Sequence, residues 1–196
     1  GARWAVEEGV VQLSEIGRQT AARARFADLV VLTHPYGQDN VIEREPVVEG
    51  ALFEGQAPVL VLPDSATANP APRRVAIAWN ESPEALRAVR AALPILKGAD
   101  MVRVVIIDPP AHGPNRSDPG GALAQYLARH GVSVEIDVLT RTMPRVSDVL
   151  LRNVADQNVE WLVMGAYGHS RFREAILGGA TRAMLERAPV PVFMAH

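Results

Sequence analysis

The residues best suited to chemistry form one run, Gly165-Ala166-Tyr167-Gly168-His169-Ser170-Arg171-Phe172-Arg173, which closes on Gly178-Gly179-Ala180-Thr181. Its spacing is glycine, two residues, glycine, nine residues, glycine. Gly165 and Gly168 let the backbone turn sharply and approach an anion with no Cβ in the way. Gly178 and Gly179 stand where a helix begins, and its unpaired amides and positive dipole end attract negative charge. The chemistry this pattern suits is the cradling of phosphate oxygens by main-chain N–H groups. The same glycines are also what a strand-to-helix turn uses, so a purely structural reading stays open. His169 and Ser170 have the chemistry of a base and a nucleophile, yet no third member lies within sequence reach, which favours a loop role. Arg171 and Arg173 carry charge that either neutralises phosphate or is simply solvated.

The elements that must position this run follow a regular alternation from Arg73 to His196. A buried strand over Arg74–Trp79 ends in a turn at Asn80-Glu81-Ser82-Pro83, with Ser82 suited to cap a helix and Pro83 to open it. Leu86, Val89, Ala92, Leu93 and Leu96 then make one apolar stripe, and Gly98 stops the helix. Strands are expected over Val102–Ile107, Val132–Leu139, Trp161–Met164 and Val190–Met194. Helices are expected over Ala122–His130, Val146–Ala155 and Ala180–Arg187. This order predicts a doubly wound α/β fold: a parallel five-stranded sheet, order 3-2-1-4-5, Rossmann-like, with helices on both faces. In that order Asn80, Gly165 and Gly168 meet at the switch point between the first and fourth strands. Asp108, ending the second strand, is placed either to bond a ribose or to form a turn before Pro109-Pro110.

Residues 1–63 repeat the later part of the pattern. Asp28–Thr33 matches Glu160–Gly165, and Gln56–Leu62 matches Pro189–Met194 in kind. A linker by composition, residues 64–72, separates this half repeat from the complete domain at 73–196. The first copy is expected to hold its third, fourth and fifth strands without its central one, through truncation, proteolysis or a swap with a second molecule. After its fourth strand, Thr33-His34-Pro35-Tyr36-Gly37 keeps one motif glycine, so this copy reads as a structural mate.

Strand, glycine run and helix together resemble the universal stress protein family, whose members carry glycine, two residues, glycine, nine residues, glycine and Ser/Thr at the end of the fourth strand. Residues 73–196 resemble one such domain, and residues 1–63 the back half of another. The resemblance implies a stress-response accessory protein that binds an adenine nucleotide, ATP with Mg2+, at the second domain. It carries over to Asn80, Asp108, Gly165, Gly168, His169, Arg171, Gly178, Gly179, Ala180 and Thr181. Nucleotide binders of that family have Asp at the position of Asn80 and Ser/Thr at that of Gly179. The alternative is an interaction or scaffold protein of the same fold that binds no nucleotide. The family also implies pairing between fifth strands, here Val59–Leu62 with Val190–Met194 in a pseudo-dimer, and admits a homodimer; the protein partner is unspecified.

Composition narrows the classes. Of 196 residues, 20 are basic and 22 acidic, which gives no electrostatic footprint for nucleic acid and no polybasic membrane patch. With no cysteine, a disulfide framework, a thiolate metal site and a cysteine nucleophile are excluded. The histidines lack metal-ligand spacing, so no metal site is expected. No apolar run approaches the roughly 20 residues that span a bilayer, and a cytoplasmic location is expected. No Walker lysine follows the glycines and no carboxylate pair is placed to hold magnesium, so ATP hydrolysis is expected to be slow or absent. Hydrolase-like or flavoprotein-like chemistry on the same sheet finds no acid-base constellation.

Overall fold

Short runs of valine, isoleucine and leucine make the strands, and the crossovers between them decide their order. The computed structural model describes residues 1, 3–36, 44–64, 69–109, 117–168 and 179–196. From Arg74 onward the elements are β3 (Arg74–Ala78), α3 (Pro83–Leu96), β4 (Met101–Ile107), α4 (Gly121–Arg129), β5 (Val134–Leu139), α5 (Val146–Asp156), β6 (Trp161–Gly165), α6 (Ala180–Arg187) and β7 (Val192–Ala195). Before them come α1 (Ile16–Ala24), β1 (Val30–Thr33), α2 (Arg44–Glu49), which runs into a wider π turn over Gly50–Glu54, and β2 (Val59–Leu62).

The sheet has seven strands in the order β1-β2-β7-β6-β3-β4-β5, not five. β5, β4, β3, β6 and β7 lie side by side and parallel, as the alternation predicts. The additional strands join because β2 pairs with β7, and it does so antiparallel: Val59 faces Met194, Leu60 faces Phe193 and Val61 faces Val192. β1 then pairs parallel to β2. The sheet is therefore mixed, with its one reversal of direction at the β2–β7 seam. Residues 3–12, where the first copy's third strand is expected, join no ladder.

Two boundaries shift by two residues, each for a local reason. The last strand starts at Val192 rather than Val190, since Pro191 has no N–H to give the ladder and contributes only its carbonyl, to the Leu162 N–H at 2.9 Å. β5 starts at Val134 because the Val132 N–H closes the exit of α4 on the Leu127 carbonyl at 3.1 Å. The α3 start follows its signals: the Ser82 Oγ accepts from the Ala85 N–H at 3.1 Å, with Pro83 as the first helical residue.

Alternate residues of each strand feed two cores. One face carries Val59, Val61, Leu162, Met164 and Met194 under α1, α2, α5 and α6; the other carries Val75, Ile77, Val104, Val163 and Phe193 under α3 and α4. At the β1 edge that second face is uncovered, and Val31 is 53% exposed. Among the described residues, no helix is long and apolar enough to cross a membrane.

Candidate functional site

β3 and β6 are neighbours, but the helices that follow them leave for opposite faces of the sheet. α3 buries Ala88, Val89, Ala92 and Leu96 on one face, and α6 buries Ala183, Met184 and Leu185 on the other. Chains diverging from two adjacent strand ends leave a crevice between them. Here it is a cleft of about 450 Å³, within the range of small-molecule sites. Asn80, Gly165 and Gly168 meet in it, as the sequence places them, and Gly179, Ala180 and Thr181 join from the start of α6.

Most of the lining is apolar and comes from residues the motif does not contain: Ala78, Val105, Ile107, Val146, Leu150 and Met164. Val105 and Ile107 alternate along β4, and Val146 and Leu150 lie one turn apart on α5. Those periodicities are visible in the sequence, although which end of the sheet they reach is not. Trp79, expected in the core, is half-buried and lines this cleft and a second recess beside α4.

The glycines have different reasons to be glycine. A Cβ on Gly165 would stand 2.5 Å from the Ala85 nitrogen and 2.7 Å from the Glu84 carbonyl carbon. Gly165 is thus what lets the first turn of α3 lie against the end of β6. A Cβ on Gly168 would meet only side-chain atoms, Glu84 Oε2 at 3.1 Å and Ser82 Oγ at 3.6 Å. Gly168 therefore leaves its backbone open to the cleft without being required by the packing.

Two helix starts border the cleft, and they differ. α3 is satisfied from within by its Ser82 cap, and its first turn carries Glu84. Glu84 Oε2 is buried with no hydrogen-bond partner among the described residues. α6 begins at Gly179, which caps it with no side chain, and its start carries the partial positive charge of a helix N-terminus.

Thr181 is 2% exposed, and its Oγ1 accepts the Tyr167 N–H at 3.1 Å. That bond holds a left-handed residue, Tyr167 with φ 55°, a conformation costing roughly 1–3 kcal/mol outside glycine. Asn80 accepts the Ser82 N–H through Oδ1 at 3.2 Å and so shapes the turn after β3. Asp108 lies away from the cleft lining. Its own φ is 47°, its Oδ1 accepts the Arg141 N–H at 3.0 Å, and its carboxylate pairs with the Arg141 guanidinium at 3.7 Å. His169, Arg171 and Gly178, with Ser170, Phe172 and Arg173, fall outside the described residues. Among the described residues, no group of three or more His, Cys, Asp or Glu could hold a metal ion.

Fold and cleft together define a Rossmann-like α/β protein with a crevice at the carboxyl ends of its central strands. The chain belongs to the universal stress protein family, whose sequence model matches residues 72–196. Universal stress protein Slr1230 of Synechocystis is 28% identical over 98 residues, 45% of this chain and 33% of that protein. A universal stress protein from Archaeoglobus fulgidus superposes with a TM-score of 0.70 at 19% identity, covering 91% of this chain and 64% of that one. A universal stress protein solved in complex with cAMP superposes with a TM-score of 0.53 at 19% identity, covering 64% of this chain and 98% of that one. The chain thus spans a third of the Synechocystis protein and under two thirds of the Archaeoglobus one.

Proposed function

We propose that residues 73–196 form a domain that binds an adenine nucleotide, ATP arriving with its magnesium, and serve as the nucleotide-sensing part of a cytoplasmic stress-response protein. Residues 1–63 act as its partner, the incomplete second copy joined through the linker at 64–72. The observation that carries this reading is the asymmetry of the cleft. Its apolar side, Val105, Ile107, Leu150 and Met164, suits a base, while the uncapped start of α6 at Gly179-Ala180-Thr181 suits phosphate. Gly168 leaves room for close approach of a phosphate to the main chain.

Isothermal titration of the whole chain with ATP and magnesium tests the reading. Binding is expected for the wild type and lost in Gly168→Val, whose Cβ would stand nearest to side-chain atoms, Glu84 Oε2 at 3.1 Å and Ser82 Oγ at 3.6 Å. A wild-type chain that binds no ATP, and releases no nucleotide on denaturation, would overturn it.

One observation favours the second reading, a protein-binding scaffold of the same fold. The half-buried Glu84 side chain turns a buried Oε2 toward Gly168, where its negative charge would repel a phosphate. Glu84→Gln separates the two: a phosphate site gains affinity when that charge is removed, and a scaffold shows no nucleotide binding in either form.

A further inference from the structure

The cleft lining includes Gly165 and Gly168 but omits Tyr167 between them. Tyr167, with its left-handed backbone, packs instead against the core beneath α1, α2, α5 and α6, where a ring from residues 1–63 meets it. The Phe53 ring, in the π turn that follows α2, lies 5.0 Å from the Tyr167 ring, tilted at 49°. Phe53 also meets His196 edge-on at 4.6 Å, and His196 Nδ1 lies 3.0 Å from the Ala166 carbonyl oxygen. Tyr36, just beyond β1, packs against the same core as Tyr167 and sits beneath the Arg182 guanidinium, 4.9 Å from its ring centre. The backbone is pinned as well, with the Ala166 N–H on the Ala195 carbonyl at 2.9 Å and the Tyr167 N–H on Thr181.

We infer that Phe53 of the N-terminal segment is a positioning residue for the glycine turn of the cleft: it holds Tyr167 in its left-handed conformation and so fixes where Gly168 presents its backbone. A strained residue keeps its conformation only where its surroundings over-determine it. Here the hydrogen bond to Thr181 fixes the amide, while the packing of Phe53 fixes the ring. The N-terminal segment is then part of the site's machinery although none of its described residues lines the cleft. Coupling to ligand rests on the nucleotide reading; coupling to the shape of the turn does not.

The experiment compares the full chain with Phe53→Ala and Phe53→Tyr, by hydrogen exchange without ligand and by ATP titration. In Phe53→Ala the Tyr167 and Gly168 amides are expected to exchange at least about tenfold faster, with Val104 and Ile77 in the distant strands unchanged, and ATP affinity is expected to fall about tenfold. Phe53→Tyr keeps the ring and restores both. If Phe53→Ala does not fold, Phe53→Leu is the variant that keeps volume without the ring, with the same expectation. Wild-type exchange at Tyr167 and Gly168 in a folded Phe53→Ala or Phe53→Leu overturns the inference. Faster exchange in a chain whose wild type binds no ATP upholds it and rejects the nucleotide reading alone.

Discussion

The turns after β1 and after β6 begin alike and end differently. Each follows a short parallel strand, Val30–Thr33 or Trp161–Gly165, and each leads toward a helix on the same face of the sheet. After β6, the neighbouring β3 sends α3 to the other face, and a cleft opens between the two departures. After β1, among the described residues, β2 alone lies alongside. Where β6 ends in Gly165, β1 ends in Thr33, with the buried His34 next. Glycines alone do not make a crevice: it needs two neighbouring strands whose crossovers part to opposite faces, as they do after β3 and β6.

The sharpest way to break this comparison is to exchange the strand-end residues. Gly165→Ala drives a Cβ into the backbone of α3 and is expected to cost about 2–3 kcal/mol, read from urea denaturation midpoints. Thr33→Ala, at the matching but exposed position, is expected to cost under about 0.5 kcal/mol. Equal costs would show that α3 does not need Gly165.

Next in size, Thr181→Val keeps the shape but leaves the Tyr167 N–H without its acceptor. A loss of about 1–2 kcal/mol is expected, as for an unmade buried hydrogen bond. Thermal unfolding of Thr181→Ser, which retains the hydroxyl, should stay closer to wild type.

His34 offers a test on the other side. It is 7% exposed and its Nε2 has no partner among the described residues. Burial holds its pKa below the usual 6.5, with Asp64 pulling the other way. The unfolded chain therefore takes up the proton first, and the stability His34 contributes as a neutral ring is present above pH 6.5 and lost as pH falls through its folded value. Stability measured from pH 7.5 to 5 should decline less in His34→Gln than in wild type. The smallest effect is expected from Asn80→Asp, which keeps the acceptor for Ser82 N–H and should change stability by no more than about 0.5 kcal/mol.

Much of the fold was legible because its signals are local. Ser82-Pro83 announces the start of α3, and Val104, Ile106, Ile136 and Val138 announce strands. The meeting of Asn80, Gly165 and Gly168 follows from strand order alone. What the sequence could not supply depends on chains that meet from far apart. Gly165 reads as a phosphate approach, yet its nearest constraint is Ala85, brought there by packing. Thr181 reads as a hydroxyl for ligand, yet it accepts from Tyr167. Asp108 reads equally as a ribose contact or a turn former, and its carboxylate is engaged by Arg141. The Phe53–Tyr167 contact has no sequence signature, since neither residue belongs to a periodic stripe that points to the other.

The antiparallel seam between β2 and β7 also sets a timetable. Val59 and Met194 form one of three facing residue pairs, yet more than half of this sequence lies between them. Chains are synthesised from the N-terminus, so Val59–Leu62 leaves the ribosome long before Val192–Ala195 exists. Until then β2 lacks the β7 partner it has in this sheet. Contacts between distant parts of a chain form late. Residues 1–63 are therefore made well before the strand that secures them to the rest of the sheet, and that interval is where a chaperone would have the most to hold.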